Sequence, residues 1–347
     1  MTGNNIYKEK TGGNVVAIIP VAGIGSRLRP HTHTQPKALI PVAGKPIVAH
    51  IIDKLIAAGV QDFIFVVGYL GDKIEKYIST HYPDQHMRFV IQTSGKGIGH
   101  AIYLTKELAE EYNELLIVLG DTIFETQLDK VFASPYSTLG VKKVDDPRLF
   151  GVAELGQDKK IVRLIEKPPI PKSNLALIGV YFIRELDALF SALAYNIEHK
   201  IKTQGEYHLT DALMKMIDQG VVFKTFDVES WFDCGKKEVL LQTNKLLLKR
   251  YQQQDTSVVG AGFDHTVIIP PVFIGKGVQI SNSVIGPNVS IGDKAILHSC
   301  IVTETIIGPF AHLENAILKD TIVGNDAHLR GKIYTLNLGD SAEISFS

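Results

Sequence analysis

The sequence is poor in the features that would mark a zinc protein, a general nucleic-acid binder or a membrane protein. It has two cysteines in 347 residues, Cys234 and Cys300. Neither stands in a Cys-x-x-Cys or Cys/His ligand spacing, which argues against a zinc site. Two thiols in so long a chain fit a reducing compartment, and the expected location is the cytoplasm. There is no excess of charge, with 36 Lys+Arg against 37 Asp+Glu. A nucleic-acid binder would show a basic surplus, so any basic site is local and suited to a small phosphate ligand. No apolar run is long enough to span a bilayer, and residues 1–14 are polar and lack the apolar core of a signal peptide. They read as a flexible tail on a soluble protein with no membrane or nucleic-acid partner. Two glycine fingerprints are also missing. The turn after the first apolar run has Gly23 and Gly25, but no third glycine near Leu28 and no Gly-Lys-Ser/Thr. Neither a dinucleotide fingerprint nor a P-loop is present, which disfavours a Rossmann-type oxidoreductase.

What is present is strand–helix alternation followed by a repeat. The length favours two domains, and 45% hydrophobic residues allow a sizeable core. Val15–Pro20 and Asp62–Val67 are short apolar runs without alternation, the pattern of strands buried on both faces of a parallel sheet. Residues 46–58 place Ile47, Ile51, Leu55 and Ala58 at helical spacing, with Gly59 as C-terminal stop. Residues 100–112 read as a helix, helped by His100 as a cap, and residues 115–119 as a strand ending at Gly120-Asp121. The expectation is an α/β domain over 15–250 with ligands at the carboxyl ends of the strands. A helix over 236–250 then runs into a linker, Tyr251 to Asp255.

Beyond 255 three aliphatic series interleave. Ile274, Ile291, Ile307 and Val323 form one, Ile280, Leu297, Leu313 and Leu329 the second, and Ile285, Val302 and Leu318 the third. Aliphatic positions about six residues apart in three phases are the hexapeptide signature of a parallel β-helix, here about five coils over 256–347. Glycine, Asn and Asp ease the corners. An ordinary β-sandwich is the alternative. His298, His312 and His328 do not keep one spacing, so no regular histidine column is expected. The β-helix is read as an oligomerisation or regulatory element rather than an acyltransferase.

The chemistry lies in the first turn, Ala22-Gly23-Ile24-Gly25-Ser26-Arg27. Glycines let backbone N–H groups approach phosphate oxygens, and the forked guanidinium of Arg27 suits the same oxygens. A tight turn with a surface arginine would look the same. Lys37 follows within Gln35-Pro36-Lys37, and then comes Pro41-Val42-Ala43-Gly44-Lys45-Pro46. This ordered stretch resembles the signature of sugar-1-phosphate nucleotidyltransferases, in a long, glucose-1-phosphate thymidylyltransferase-like form with a left-handed β-helix tail. The resemblance continues through Gln92 to Ala101, Gly120-Asp121, Phe150-Gly151-Val152, Glu166-Lys167-Pro168 and Trp231-Phe232-Asp233-Cys234-Gly235.

The resemblance implies a Rossmann-like α/β nucleotidyltransferase domain with a mixed, mostly parallel sheet. It implies catalytic roles for Arg27 and Lys37, and nucleotide contacts from Ala22, Gly23, Gly25, Ser26, Gln92 and Gly97. Gly151, Glu166, Lys167 and Gly179 would bind the sugar phosphate, and Asp121 and Asp233 would hold Mg²⁺. The partners would be a nucleoside triphosphate and a sugar-1-phosphate, and the assembly a homo-oligomer. A Gln amide suits a pyrimidine edge, so dTTP or UTP with glucose-1-phosphate is favoured. N-acetylglucosamine and mannose phosphates stay open. A mannose-1-phosphate guanylyltransferase and a non-catalytic regulatory homologue are the alternatives.

Overall fold

The computed structural model describes residues 15–254 and 263–332. The tail expected over 1–14 and any coil beyond 332 fall outside the described residues. The chain divides into two compact units, Met1–Ile40 with Lys45–Val239, and Pro41–Gly44 with Leu240–Ser347.

The first unit is built on a mixed nine-stranded sheet. Val15–Pro20 lies in its interior, parallel to Asp62–Val67 on one side and to Glu114–Val118 on the other. A strand covered on both faces has no solvent side, which explains its unbroken apolar run. Val16, Ala17, Ile18 and Ile19 are all fully buried. His86–Ile91 extends the parallel half beyond Asp62–Val67. Leu175–Ile183 pairs antiparallel with Glu114–Val118 and opens the second half of the sheet. Helix Ile47–Ala57 buries Ile47, Ile51 and Leu55 completely. Gly59, at φ 88°, follows its end in the left-handed conformation that closes many helices.

Two expectations on helices need correction. The helix read over 100–112 is two short pieces, Ile98–Tyr103 and Lys106–Ala109. Thr105 between them is fully buried, and its hydroxyl donates to the Ile102 carbonyl at 2.7 Å, a local bond that competes with the helix ladder. The last helix of the α/β region runs Lys237–Gln254, so Tyr251 to Gln254 are helix and not linker. Glutamine is a good helix former and gives no signal to stop. Asp255 lies outside the described residues. Among the described residues no helix is long and apolar enough to cross a membrane.

The second unit contains three four-stranded parallel sheets, each pairing a strand with its equivalent one coil further on. This excludes the sandwich. The three aliphatic series fall in register: Ile274, Ile291, Ile307 and Val323 face one another, as do Ile280, Leu297, Leu313 and Leu329, and Ile285, Val302 and Leu318. All of them but Leu329, which is 41% exposed in the last described coil, make the interior. Corners are turned by Asn282, Asn288, Asn315 and Asp320 with positive φ, which short polar side chains tolerate. Four coils are described. The three histidines form no single column, as their unequal spacing implied. His312 and His328 stand opposite each other with ring centroids 5.6 Å apart, because their spacing is one coil, while His298 pairs with Ser281 and Glu314.

Leu297, 1% exposed, is central to this interior. Leu297→Ala is expected to lower the stability of the β-helix by about 2–5 kcal/mol. A urea transition of the C-terminal unit with an unshifted midpoint would contradict this packing.

Candidate active site

The glycine turn leaves the carboxyl end of Val15–Pro20, where open α/β sheets bind ligands. Gly25 has φ 68°, and a Cβ there would lie 3.0 Å from Lys37 Cβ and 3.1 Å from Thr32 Cγ2. Its carbonyl accepts from the Leu28 amide at 2.9 Å and from the Thr32 hydroxyl at 2.9 Å. The turn is thereby folded against Lys37, which opens the 3-10 turn Lys37–Leu39. Arg27 projects exposed from Ser26–Leu28.

The two acids are brought together by strand pairing. Ser230–Asp233 runs antiparallel to Thr122–Glu125, with Asp233 opposite Thr122. The Cys234 amide then donates to the Asp121 carbonyl at 3.0 Å. Gly120 lets this corner approach the first strand, since a Cβ would meet Val21 Cγ1 at 2.3 Å and the Pro20 carbonyl oxygen at 2.8 Å. Lys37, its side chain 14% exposed, forms an ion pair with Asp121. Arg27 crosses Gly235, whose Cβ would stand 2.6 Å from Arg27 Nη2 and 3.0 Å from Asp233 Oδ1. Burial, and then the neighbouring Asp121, raise the Asp233 carboxyl above the usual range; Lys37, Arg27 and Lys236 pull it back.

A cleft of about 940 Å³ opens beside Arg27, Lys37 and Asp121, lined also by Ala22, Gly23, Gly25, Ser26, Gln92 and Gly97 among others; Asp233 is not in its lining, though its neighbour Gly235 is. Gln92 is only 8% exposed. Its Nε2 donates to the Gly97 carbonyl at 3.2 Å and meets His100 Nδ1 at 3.1 Å. His100 therefore fixes a cleft residue from inside the helix and caps nothing; Gly97 is the N-cap.

Gly151, Glu166, Lys167 and Gly179 lie outside that lining. Three of them form a neighbouring group. Gly151 stands opposite Glu166, and Lys167 Nζ is 3.7 Å from Glu166 Oε1. Thr210 donates to Glu166 Oε2 at 2.7 Å, and His208 Nδ1 is 3.6 Å from Oε1. Gly179 is closer to the acids, its carbonyl accepting from the Leu119 amide at 2.8 Å. Tyr181 joins the two groups: burial first, then Glu166 and Asp121, raise its phenol far above the ordinary value.

Sequence reading did not single out Lys236, Glu206, Tyr181, His208 or Thr210. Lys236 directly follows the Gly235 motif and could have been found there. Thr210 and His208 had no local signal, because their partner Glu166 lies on a distant strand. Among the described residues no group of three or more His, Cys, Asp or Glu side chains is placed to hold a metal ion. Two close carboxylates, one raised by burial and by the other, fit Mg²⁺, which takes a few carboxylates and fills its shell with water and phosphate oxygens.

A glycine turn facing cations and paired acids at the strand ends of an α/β sheet is an arrangement suited to a polyphosphate. Residues 16–250 match the model of the nucleotidyl transferase family, and the chain belongs to that family. Residues 251–328 match the GlmU-like C-terminal hexapeptide, which with the three parallel sheets makes the second unit a left-handed β-helix. The chain is 36% identical over 262 residues to the bifunctional protein GlmU of Methanocaldococcus jannaschii, covering 75% of this chain and 60% of that one. It therefore spans about three fifths of that relative's length. It is 31% identical over 313 residues to glucose-1-phosphate thymidylyltransferase of Streptomyces griseus, covering 84% of this chain and 86% of that one. The solved UDP-glucose pyrophosphorylase complexed with UDP-glucose shares the fold, with TM-score 0.60 at 24% identity over 68% of this chain and 98% of that one.

An acid whose pKa is raised on folding binds its proton more tightly in the native state. Stability therefore falls as pH climbs from the unfolded pKa through the raised one. Asp233→Asn is expected to raise the neutral-pH Tm of the metal-free protein, by about 2–4 °C for each kcal/mol of repulsion relieved. A lowered Tm would show that the carboxylate stabilises the fold.

Proposed function

We propose that the chain is a Mg²⁺-dependent sugar-1-phosphate nucleotidyltransferase, converting a nucleoside triphosphate and a sugar-1-phosphate to a nucleoside diphosphate sugar and pyrophosphate. The observation that carries this reading is the meeting of Arg27 and Lys37 with Asp121 and Asp233 beside the glycine turn. An oxygen of the sugar phosphate attacks the α-phosphorus, and pyrophosphate leaves from the opposite side. Both reactants are anions, so the protein's task is to gather and align them. Turn amides and Arg27 hold the outer phosphates, and Lys37 neutralises charge at the reacting ones. Glu166 accepts from sugar hydroxyls, oriented by Thr210, and Lys167 binds the sugar's phosphate. No general base is required, because the attacking phosphate is already ionised at neutral pH. Bound at Asp121 and Asp233, Mg²⁺ would supply charge neutralisation to the triphosphate.

The base preference follows from Gln92. Its NH₂ is occupied by Gly97 and His100, leaving the amide oxygen as an acceptor. One acceptor suits the N3–H of uracil or thymine; guanine offers two adjacent donor groups. UTP or dTTP is the favoured donor, and glucose-1-phosphate the favoured sugar. The thymidylyltransferase relative, by its name, handles a pyrimidine nucleotide and glucose-1-phosphate, which supports this choice. Two buried cysteines outside any disulfide, Cys234 and Cys300, suit the cytoplasm.

The β-helix is assigned to self-association. Val267, Val284, Ile301 and Ile317 form an outward aliphatic ladder across all four described coils. Val267 is 57%, Ile301 46% and Ile317 80% exposed. An uncharged ladder with a regular coil spacing is complementary to the same ladder on a second copy.

Pyrophosphate release across four triphosphates and three sugar phosphates tests the activity. Arg27→Ala and Lys37→Ala are each expected to lower kcat by about 10²–10³, and Asp121→Asn to raise the Mg²⁺ concentration needed for half-maximal rate. Full activity in the arginine and lysine variants, or an unshifted metal titration, would defeat the assignment. Sedimentation of Ile301→Lys/Ile317→Lys is expected to give monomers where the parent chain associates. A variant that still assembles as the parent does would place the interface elsewhere.

A further inference from the structure

A second hollow lies beside the base end of the cleft. It measures about 520 Å³ and is lined by Lys96, His100, Ile197, Lys200, Lys202 and Tyr207, none of which lines the nucleotide cleft. Its walls are tied together. The Tyr207 amide donates to the Lys96 carbonyl at 2.9 Å, and the Gly99 amide to the Tyr207 carbonyl at 2.8 Å. Thr203 and Glu206 exchange backbone bonds at 3.1 and 3.0 Å, and the Ile201 amide bonds the Asn196 carbonyl at 2.8 Å. The lysine-bearing segments are thus held in place by their own backbone.

Among the described residues, none of these three ammonium groups has a carboxylate within 4.0 Å. Lys202 Nζ instead sits 5.0 Å from the centroid of the buried Tyr207 ring. Three unneutralised cations around one hollow repel each other, and an anion between them removes that repulsion. Ile197 and Tyr207 add an apolar wall suited to the carbon body of an organic phosphate. The hollow also communicates with the cleft. His100 lines it, stacks on Tyr207 with centroids 6.5 Å apart, and receives the Gln92 amide on Nδ1.

We infer that Lys96, Lys200 and Lys202 form a second anion site, for a small phosphate ester, whose occupant is sensed at the nucleotide base through His100 and Gln92. Burial, and then Lys96, hold the His100 imidazole below its ordinary pKa, so it is neutral and able to accept from Gln92. A phosphate dianion in the hollow favours the imidazolium, whose Nδ1–H can no longer accept. The Gln92 amide then loses one of its two anchors, and the acceptor it offers the base is displaced. This coupling rests on the proposed role of Gln92; the binding site does not.

The probes are glucose 6-phosphate, whose phosphate is not anomeric, and inorganic phosphate. They are titrated calorimetrically into the full chain carrying Lys37→Ala, which weakens competing binding in the cleft. Affinity for glucose 6-phosphate is expected to fall about tenfold when Lys200→Gln and Lys202→Gln are added. Tighter binding of inorganic phosphate, with the same loss, supports the site and makes free phosphate its ligand. Unchanged affinity for both overturns the site. An independent readout is acetylation of the unmutated chain, where Lys200 and Lys202 are expected to be protected by the bound ester; equal labelling with and without it contradicts the proposal. For the coupling, saturating glucose 6-phosphate is expected to raise the KM for the triphosphate about threefold at constant kcat, and to leave it unchanged in Lys200→Gln/Lys202→Gln. An equal rise in both proteins refutes the coupling. A chain without transferase activity would remove the proposed function while the labelling still decides the site.

Discussion

The constraint on which the structure turns is the holding of two carboxylates side by side, Asp121 and Asp233, against their mutual repulsion. Burial makes the repulsion worse, and the raised carboxyl of Asp233 records it. The protein answers with cations rather than with distance. Lys37 pairs with Asp121, while Arg27 and Lys236 act on Asp233. A site with opposed charges gathered this closely is ready for a ligand that is itself polyanionic, and for a divalent cation.

The fold supplies this arrangement by converging the ends of separate strands. Val15–Pro20 delivers the glycine turn, the turn packs on Lys37, and the corner at Gly120 brings Asp121 against the same strand end. Asp233 arrives from a strand far along the chain, through its antiparallel pairing with Thr122–Glu125. Glu166 is placed by another antiparallel pair, opposite Gly151, and is steadied from a helix start by Thr210. No single segment contains the site, so its geometry depends on the register of the whole sheet.

Much of this could be read in the sequence. Strands buried on both faces announce themselves as unbroken apolar runs, and Val15–Pro20 and Asp62–Val67 fall where those runs fall. The β-helix was readable because each inward position must recur once per coil, which leaves three interleaved series in register. The glycine turn and Lys37 were readable because they lie close in sequence. What could not be read depends on tertiary partners. Thr105 breaks a helix because its hydroxyl turns back on Ile102. Tyr181 carries no motif, and its importance comes only from lying between Glu166 and Asp121. Ala43, inside the signature, belongs to the second unit and donates its amide to Asn244 Oδ1 at 2.8 Å, a contact between residues two hundred positions apart. The lysines around the second hollow were invisible because the chain as a whole is charge-balanced.

The most direct measurement is a crystal structure of the full chain with a non-hydrolysable nucleoside triphosphate and Mg²⁺. The account predicts the phosphates between the Gly25 turn, Arg27 and Lys37, with density for the cation between Asp121 and Asp233. A triphosphate lodged away from that turn, leaving both acids without contact to the ligand or a metal, would contradict it.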